Sequence, residues 1–215
     1  MANTTTSPHY TYLRKCLSLA EQSPPRPTNF RIGAILISRR DDDPEMSDDR
    51  ILSTGYTMEL AGNTHAEQCC FSNYASVHSV PDDRIAEILP SEPGRKLVMY
   101  VTMEPCGKRL SGNMPCVQRI TRTKEGGREG IHKSEGCKML TEAGIEWEVL
   151  PGLEREILMV AAAGHENRDQ EVRDALGESE ETNITDISPE ERKRQEQIPR
   201  NPKKRVMQGE EALFG

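Results

Sequence analysis

His65, Glu67, Cys106 and Cys116 are the residues on which chemistry could turn. They stand in the runs Gly62-Asn63-Thr64-His65-Ala66-Glu67 and Thr102-Met103-Glu104-Pro105-Cys106, followed by Met114-Pro115-Cys116. One imidazole and two thiolates suit a borderline-soft Zn²⁺, tetrahedral, with its fourth position open to water. A carboxylate two residues beyond the histidine can reach that water without ligating the metal. Zinc lowers the pKa of such a water to about 7, and Glu67 can then move its protons to a departing amine. The residue types therefore point to hydrolytic removal of an amino group.

The spacing adds to the residue types. His-x-Glu is frequent by chance, but followed about 40 residues later by Pro-Cys and a second cysteine it becomes the signature of zinc-dependent base deaminases. The second half is unusual, because nine residues, where that signature has two, separate Cys106 from Cys116. Two other readings compete: His65, Cys106 and Cys116 as ordinary core residues, or His65 paired with Cys69 on one helical face. The second leaves Glu67 and both Pro-Cys pairs unexplained. Between the cysteines, Lys108, Arg109, Ser111 and Asn113 lie among two glycines in a loop that must project and return. It reads either as an ordinary solvated loop or as a phosphate grip beside the zinc, with backbone N–H donors near Gly112.

Those residues must be held by a fold. The 215 residues allow one domain of ordinary size with appendages. Aromatic content of 4% and a mean hydropathy of −0.71 are low for a wholly globular chain, so part is expected to stay unfolded. Six cysteines without framework spacing, and no apolar leader, favour a reducing compartment and a soluble cytoplasmic protein. No apolar run approaches the roughly 20 residues of a membrane span. The formal charge of −7 gives no electrostatic footprint for nucleic acid.

Tyr10, Leu13, Leu17 and Ala20 fall at helical spacing after Pro8. Residues 31–38 read as a buried strand and 51–56 as its hairpin partner across a charged turn. A helix is expected from His65 to Ser76, capped by Thr64 or Asn63. A turn of helix follows near residues 84–89, then a third strand over 96–102, which delivers Cys106 at its carboxyl end. Pro115 opens a helix over about 115–123, whose N-terminus should favour the Cys116 thiolate. Further on come a helix from Gly136 to about Gly144, a strand over Ile145–Leu150 and a helix over Leu153–Ala163. From Glu166 the chain is charged and almost without aromatics, and reads as a disordered tail. In it, Pro202–Val206 is a solvated charge run or, alternatively, a nuclear-localisation patch. His132 and His165 read as surface residues, and residues 1–7 as frayed.

Three stretches together, Thr28-Asn29-Phe30-Arg31-Ile32-Gly33-Ala34, the His65 run and the whole of Met103–Cys116, resemble the fungal-type DRAP deaminases of riboflavin biosynthesis, in the cytidine-deaminase-like superfamily. The resemblance extends from about Tyr10 to Glu166. It implies a three-layer α/β/α fold with a mixed sheet over residues 8–165, zinc on His65, Cys106 and Cys116, and Glu67 as proton shuttle. It also implies that Asn29 and Asn63 face a phosphorylated pyrimidine, 2,5-diamino-6-(ribitylamino)pyrimidin-4(3H)-one 5′-phosphate, whose 2-amino group is released as ammonia. The alternatives are a cytidine, deoxycytidylate or tRNA-base deaminase, or a zinc-stabilised scaffold with impaired catalysis.

One departure follows Cys116. Where the family pattern has a fourth strand, residues 121–133 carry charges and glycines and cannot supply a buried one. The expectation is that the sheet lacks an interior strand and that Ile145–Leu150 slides in beside residues 97–102. Failing that, an open edge would invite self-association into homo-oligomers.

Overall fold

The computed structural model describes residues 7–109, 111–123 and 135–178. Its centre is the branched apolar run, which forms β1 (Gly33–Arg40) with every residue but the last buried. A strand buried on both faces needs a layer on each side. Ile35 and Ile37 pack with Tyr10, Leu13 and Cys16 of α1 (Pro8–Ala20), and with Tyr100 and Leu153. Ala34 and Leu36 point the other way, onto Ala66, Cys70, Phe71 and Tyr74 of α2 (Ala66–Val77). The strand's period of two thus places α1 and α2 in opposite layers. Glycine sets the closeness of both contacts: a Cβ on Gly33 would lie 1.9 Å from the Cys16 carbonyl oxygen, and one on Gly55 2.3 Å from the Cys70 nitrogen.

β2 (Arg50–Tyr56) pairs antiparallel with β1 on one side, Gly33 opposite Tyr56, with a register shift between Leu36 and Ile37. β3 (Arg95–Val101) pairs antiparallel on the other, Ala34 opposite Val101, after a 3₁₀ helix at Asp82–Glu87. The order is β2-β1-β3. The remaining helices are α3 (Cys116–Arg122), α4 (Glu135–Glu142), α5 (Glu154–Ala161) and α6 (Arg168–Ala175). Ile157 of α5 joins the core on the α1 side. All these elements belong to one unit, Met1–Gly177. Among the described residues no helix is long and apolar enough to cross a membrane.

The end of the sheet away from Gly33 is closed by a buried ion pair. Arg39 Nη2 lies 2.6 Å from Asp49 Oδ2, with both side chains under a tenth exposed. The guanidinium also lies over the rings of Tyr12 and Tyr100, which stack at 4.9 Å. Charges this deep are tolerated only when paired.

Three expectations need correction. Among the described residues the sheet is wholly antiparallel, not mixed, and Ile145–Leu150 forms no strand of it. The Trp147 indole donates to Thr141 of α4 at 3.0 Å, and Leu150 packs into the α1-side core with Tyr100 of β3, without hydrogen-bonding to the β3 edge as a strand. The charged tail does not begin at Glu166 either, because α6 forms there and buries Val172. The expectations for residues 1–6, 124–134 (His132 included) and 179–215 lie outside the described residues.

Candidate metal centre

The chemistry gathers where β1 begins and β3 ends. As β3 ends, the Thr102 N–H donates to the Gly33 carbonyl (3.2 Å) and its hydroxyl accepts the Gly33 N–H (3.3 Å). This fixes the direction in which Glu104-Pro105-Cys106 departs. Opposite, the Met58 N–H donates to the Thr64 carbonyl (2.8 Å) and the Thr64 hydroxyl to the Leu60 carbonyl (3.0 Å), bracing the turn before α2. With Thr64 so engaged, the N-cap position of α2 falls on His65, one residue later than expected from sequence. Its backbone is extended and its ring makes no capping bond, which leaves the imidazole for another task. Pro115 takes the N-cap position of α3 and Cys116 is the first helical residue.

His65 Nδ1 lies 3.5 Å from Cys106 Sγ and 3.4 Å from Cys116 Sγ, and the three ligand atoms are all within 4.8 Å of one another. A tetrahedral zinc with Zn–S about 2.3 Å and Zn–N about 2.0–2.1 Å sets nitrogen and sulfur about 3.6 Å apart. The donors therefore already stand at zinc-ligand spacing. Cys69 is fully buried within α2 and takes no part, which disposes of its pairing with His65.

Cys106 and Cys116 act on each other's ionisation. The Cys106 thiol is held down at about 4, first because Cys116 donates to it, then by His65 and the Cys116 N–H, against the cost of burial. Cys116 is pushed far up by the same hydrogen bond with Cys106, by burial and by the nearby Glu67 carboxylate. The start of α3 also supports the thiolate of Cys106, whose sulfur accepts the Cys116 N–H at 3.4 Å. A metal binding here must displace the remaining thiol proton.

Glu67 is 2% exposed, and its Oε2 is buried without a hydrogen-bond partner. Burial holds its pKa above the usual carboxylate range, partly offset by its own backbone N–H, the Cys116 thiol and His65. A buried carboxylate oxygen left alone is costly. Beside three donors at ligand spacing, it fits a centre that also takes up a cation and the water to be activated.

Around this centre runs a second set of contacts. Asn29 Nδ2 donates to Asn63 Oδ1 at 2.9 Å. Arg109 is nearly buried, with Nη2 on the Asn63 carbonyl (2.5 Å) and Nη1 on Gln68 Oε1 (3.0 Å). Asn29, Asn63 and Arg109 are thus brought together, whereas Lys108, Ser111 and Asn113 stay exposed on the outer loop. The backbone donors expected near Gly112 are used within that loop: Gly112 N–H reaches the Arg109 carbonyl (3.3 Å) and Asn113 N–H the Ser111 hydroxyl (3.5 Å). Sequence reasoning missed Gln68, although it lies three residues beyond His65 on the same helical face. It also missed Glu104, whose carboxylate accepts the Cys137 N–H at 2.9 Å and so anchors α4 beside the metal loop.

Comparison with known proteins agrees with this geometry. The family model of the cytidine and deoxycytidylate deaminase zinc-binding region matches residues 6–126. Over 164 residues, 73% of the chain, the sequence is 30% identical to the diaminohydroxyphosphoribosylamino-pyrimidine deaminase of Schizosaccharomyces pombe. The chain spans only 36% of that curated relative's length. The crystal structure of Aspergillus oryzae Rib2 deaminase (a C-terminal deletion mutant) at pH 4.6 is similar with a TM-score of 0.75 and 69% identity, covering 80% of this chain and 100% of that one. The same deaminase in complex with DARIPP at pH 6.5 gives 0.74 and 70%, covering 80% and 99%. Zinc is accordingly the cofactor for which the donor set is built, and its three ligand positions all fall inside the matched stretch. The chain belongs to the cytidine and deoxycytidylate deaminase zinc-binding family.

Proposed function

We propose that this chain hydrolyses the 2-amino group of 2,5-diamino-6-(ribitylamino)pyrimidin-4(3H)-one 5′-phosphate, releasing ammonia in riboflavin biosynthesis. The observation that carries the reading is the unpartnered, buried Oε2 of Glu67 beside His65, Cys106 and Cys116 at zinc-ligand spacing. The choice of substrate is supported by the Aspergillus oryzae Rib2 deaminase, a neighbour at 70% identity that binds DARIPP.

His65, Cys106 and Cys116 hold the metal. Zinc supplies the Lewis acidity that makes water a nucleophile near neutral pH. Glu67 would take a proton from the attacking water and pass it to the ring nitrogen beside the attacked carbon, then carry the proton of the resulting hydroxyl to the leaving amine; the carbon–nitrogen bond breaks, ammonia leaves and a ring carbonyl remains. Burial serves this double role, since a carboxylate whose pKa lies above the usual range both accepts and releases a proton readily. Asn29 and Asn63 orient the ring. Lys108, the exposed cation of the loop, meets the phosphate, and Arg109 holds that loop against the start of α2.

The test is ammonia release from this phosphorylated diaminopyrimidine, measured beside cytidine and deoxycytidylate. Release from the diaminopyrimidine alone supports the reading. Release from the cytidine compounds instead would move the chain to the cytidine branch, and zinc uptake without release from any would mark a scaffold.

A further inference from the structure

We propose that His165, held by Glu171, is a positioning residue for the Asn29 loop, and that the corner between α5 and α6 thereby belongs to the substrate-binding apparatus. This rests on the reading of Asn29 as a substrate contact. As a lone histidine ahead of a charged stretch, His165 reads from sequence as a surface residue. The structure places it otherwise: its side chain is 8% exposed, and Nδ1 lies 2.6 Å from Glu171 Oε2. Its ring meets that of Phe30 with centroids 4.7 Å apart and planes inclined by 55°, a tilted packing worth more than its buried area alone.

Two further contacts bind the same two segments. The Arg31 N–H donates to the Ala161 carbonyl at 2.9 Å, at the end of α5. Gly164 lies so close to residue 26 that a Cβ would stand 2.2 Å from the Arg26 nitrogen. Phe30, by contrast, is 42% exposed, so its neighbours on the core side do not hold it by enclosure. The α5–α6 corner thus helps to fix the stretch from Arg26 to Arg31, together with the Arg31 guanidinium, which donates to the Ser23 and Glu21 carbonyls, and at that corner the ring of His165 packs on Phe30. The loop so fixed delivers Asn29 to Asn63, two residues before the zinc ligand His65. A continuous run of contacts leads from α6 through Glu171, His165, Phe30, Asn29 and Asn63 to the metal centre. The Nε2 of His165 is buried and without a hydrogen-bond partner, so the imidazole contributes packing and the Glu171 contact, not a bond to substrate.

The experiment uses the full zinc-loaded chain, with His165→Ala and His165→Phe each made alone and with Asn29→Ala. Zinc content, KM and kcat for the phosphorylated diaminopyrimidine, and amide exchange over residues 26–31 are read for each. His165→Ala should raise KM about tenfold at unchanged zinc and little changed kcat. His165→Phe, which keeps a ring against Phe30, should recover most of that loss. In the Asn29→Ala background, His165→Ala should add nothing, because its route to substrate is already gone. Full additivity of the two substitutions, or an unchanged KM, overturns the proposal, as does a loss through zinc or kcat alone. Should the unsubstituted chain release no ammonia, the functional reading falls, and amide exchange judges the positioning by itself. His165→Ala must then speed exchange at Arg31 and its neighbours while His165→Phe does not, and equal protection in all three proteins overturns it.

Discussion

Replacing Glu67 by glutamine separates proton transfer from metal binding. The two side chains have nearly the same volume, so the packing of a residue only 2% exposed is retained. The three ligand atoms belong to other residues, and zinc should stay bound at one equivalent. What is lost is the base. The Glu104 carboxylate cannot stand in, being turned to the Cys137 N–H at the start of α4. Removal of a positioned general acid–base group costs about 10²–10⁴ in rate, or about 2.7–5.5 kcal/mol of barrier. Stability should move the other way. Burial raises the Glu67 pKa, so ionising it at neutral pH costs folding free energy that glutamine does not incur. The sign is that of an acid whose folded pKa exceeds its unfolded one: the contribution is most favourable below the unfolded value and is lost as pH rises through the folded value. The substituted protein, freed of zinc, should therefore melt at or above the temperature of the unsubstituted protein at pH 7. Ammonia release, metal analysis and thermal melting measure the three quantities. Turnover within tenfold of the unsubstituted enzyme would refute the shuttle role, and loss of zinc would make Glu67 a ligand.

Lys108 and Arg109 should respond differently. Lys108→Ala should weaken the phosphorylated substrate selectively, by about 1.5–3 kcal/mol as for one charge-assisted contact. Arg109→Ala, which cuts the ties to Asn63 and Gln68, should raise KM for the phosphorylated and dephosphorylated compounds alike; equal behaviour of the two variants would dissolve the distinction. Asp49→Asn leaves Arg39 charged and buried and should destabilise the fold by about 3–5 kcal/mol in denaturant titration; a loss under 1 kcal/mol would mean the pair is not buried in solution. Among the described residues no strand joins the outer edge of β3, so purified protein should self-associate with concentration in sedimentation. A monodisperse monomer would show that edge to be covered.

The candidate metal cluster was legible because few residue types bind zinc and the His-x-Glu and Pro-Cys spacings narrow them further, and the structure gathers the same three side chains. Helix α1 was legible from the period of its apolar positions, α2 from the Gly62-Asn63-Thr64 entry that precedes it, and β1 from a branched run that only a doubly covered strand would carry. For Arg109 the charge was legible but not the partners: a cation in a loop between two candidate metal ligands can face a phosphate or the loop's own supports, and the structure adds Asn63 and Gln68 to what it holds. Ile145–Leu150 failed differently. Alternation of apolar and charged residues reports that one side of an extended segment is sheltered, but not whether a strand or a helix shelters it. His165 was hidden because one histidine has no period, and because Val172 is the single buried apolar anchor of an otherwise charged α6.

The three-stranded sheet bears on the zinc centre less than its shortness suggests. His65 stands at the start of α2, which β1 and β2 hold through Ala34, Leu36 and the close approach at Gly55. Cys106 leaves β3, whose inner edge is laddered to β1 along its whole length. Cys116 opens α3, whose first N–H groups are spent on the sulfur and carbonyl of Cys106. Each ligand is thus referred to β1 or to another ligand, and none depends on a neighbour beyond β3. What lies on that side reaches the centre through α4, by the Glu104 carboxylate on the Cys137 N–H and by the close approach of Gly136 to the Pro105 carbonyl. A sheet of three strands can accordingly hold the metal geometry intact, and the consequence of the short edge should fall on association and global stability before it falls on zinc affinity.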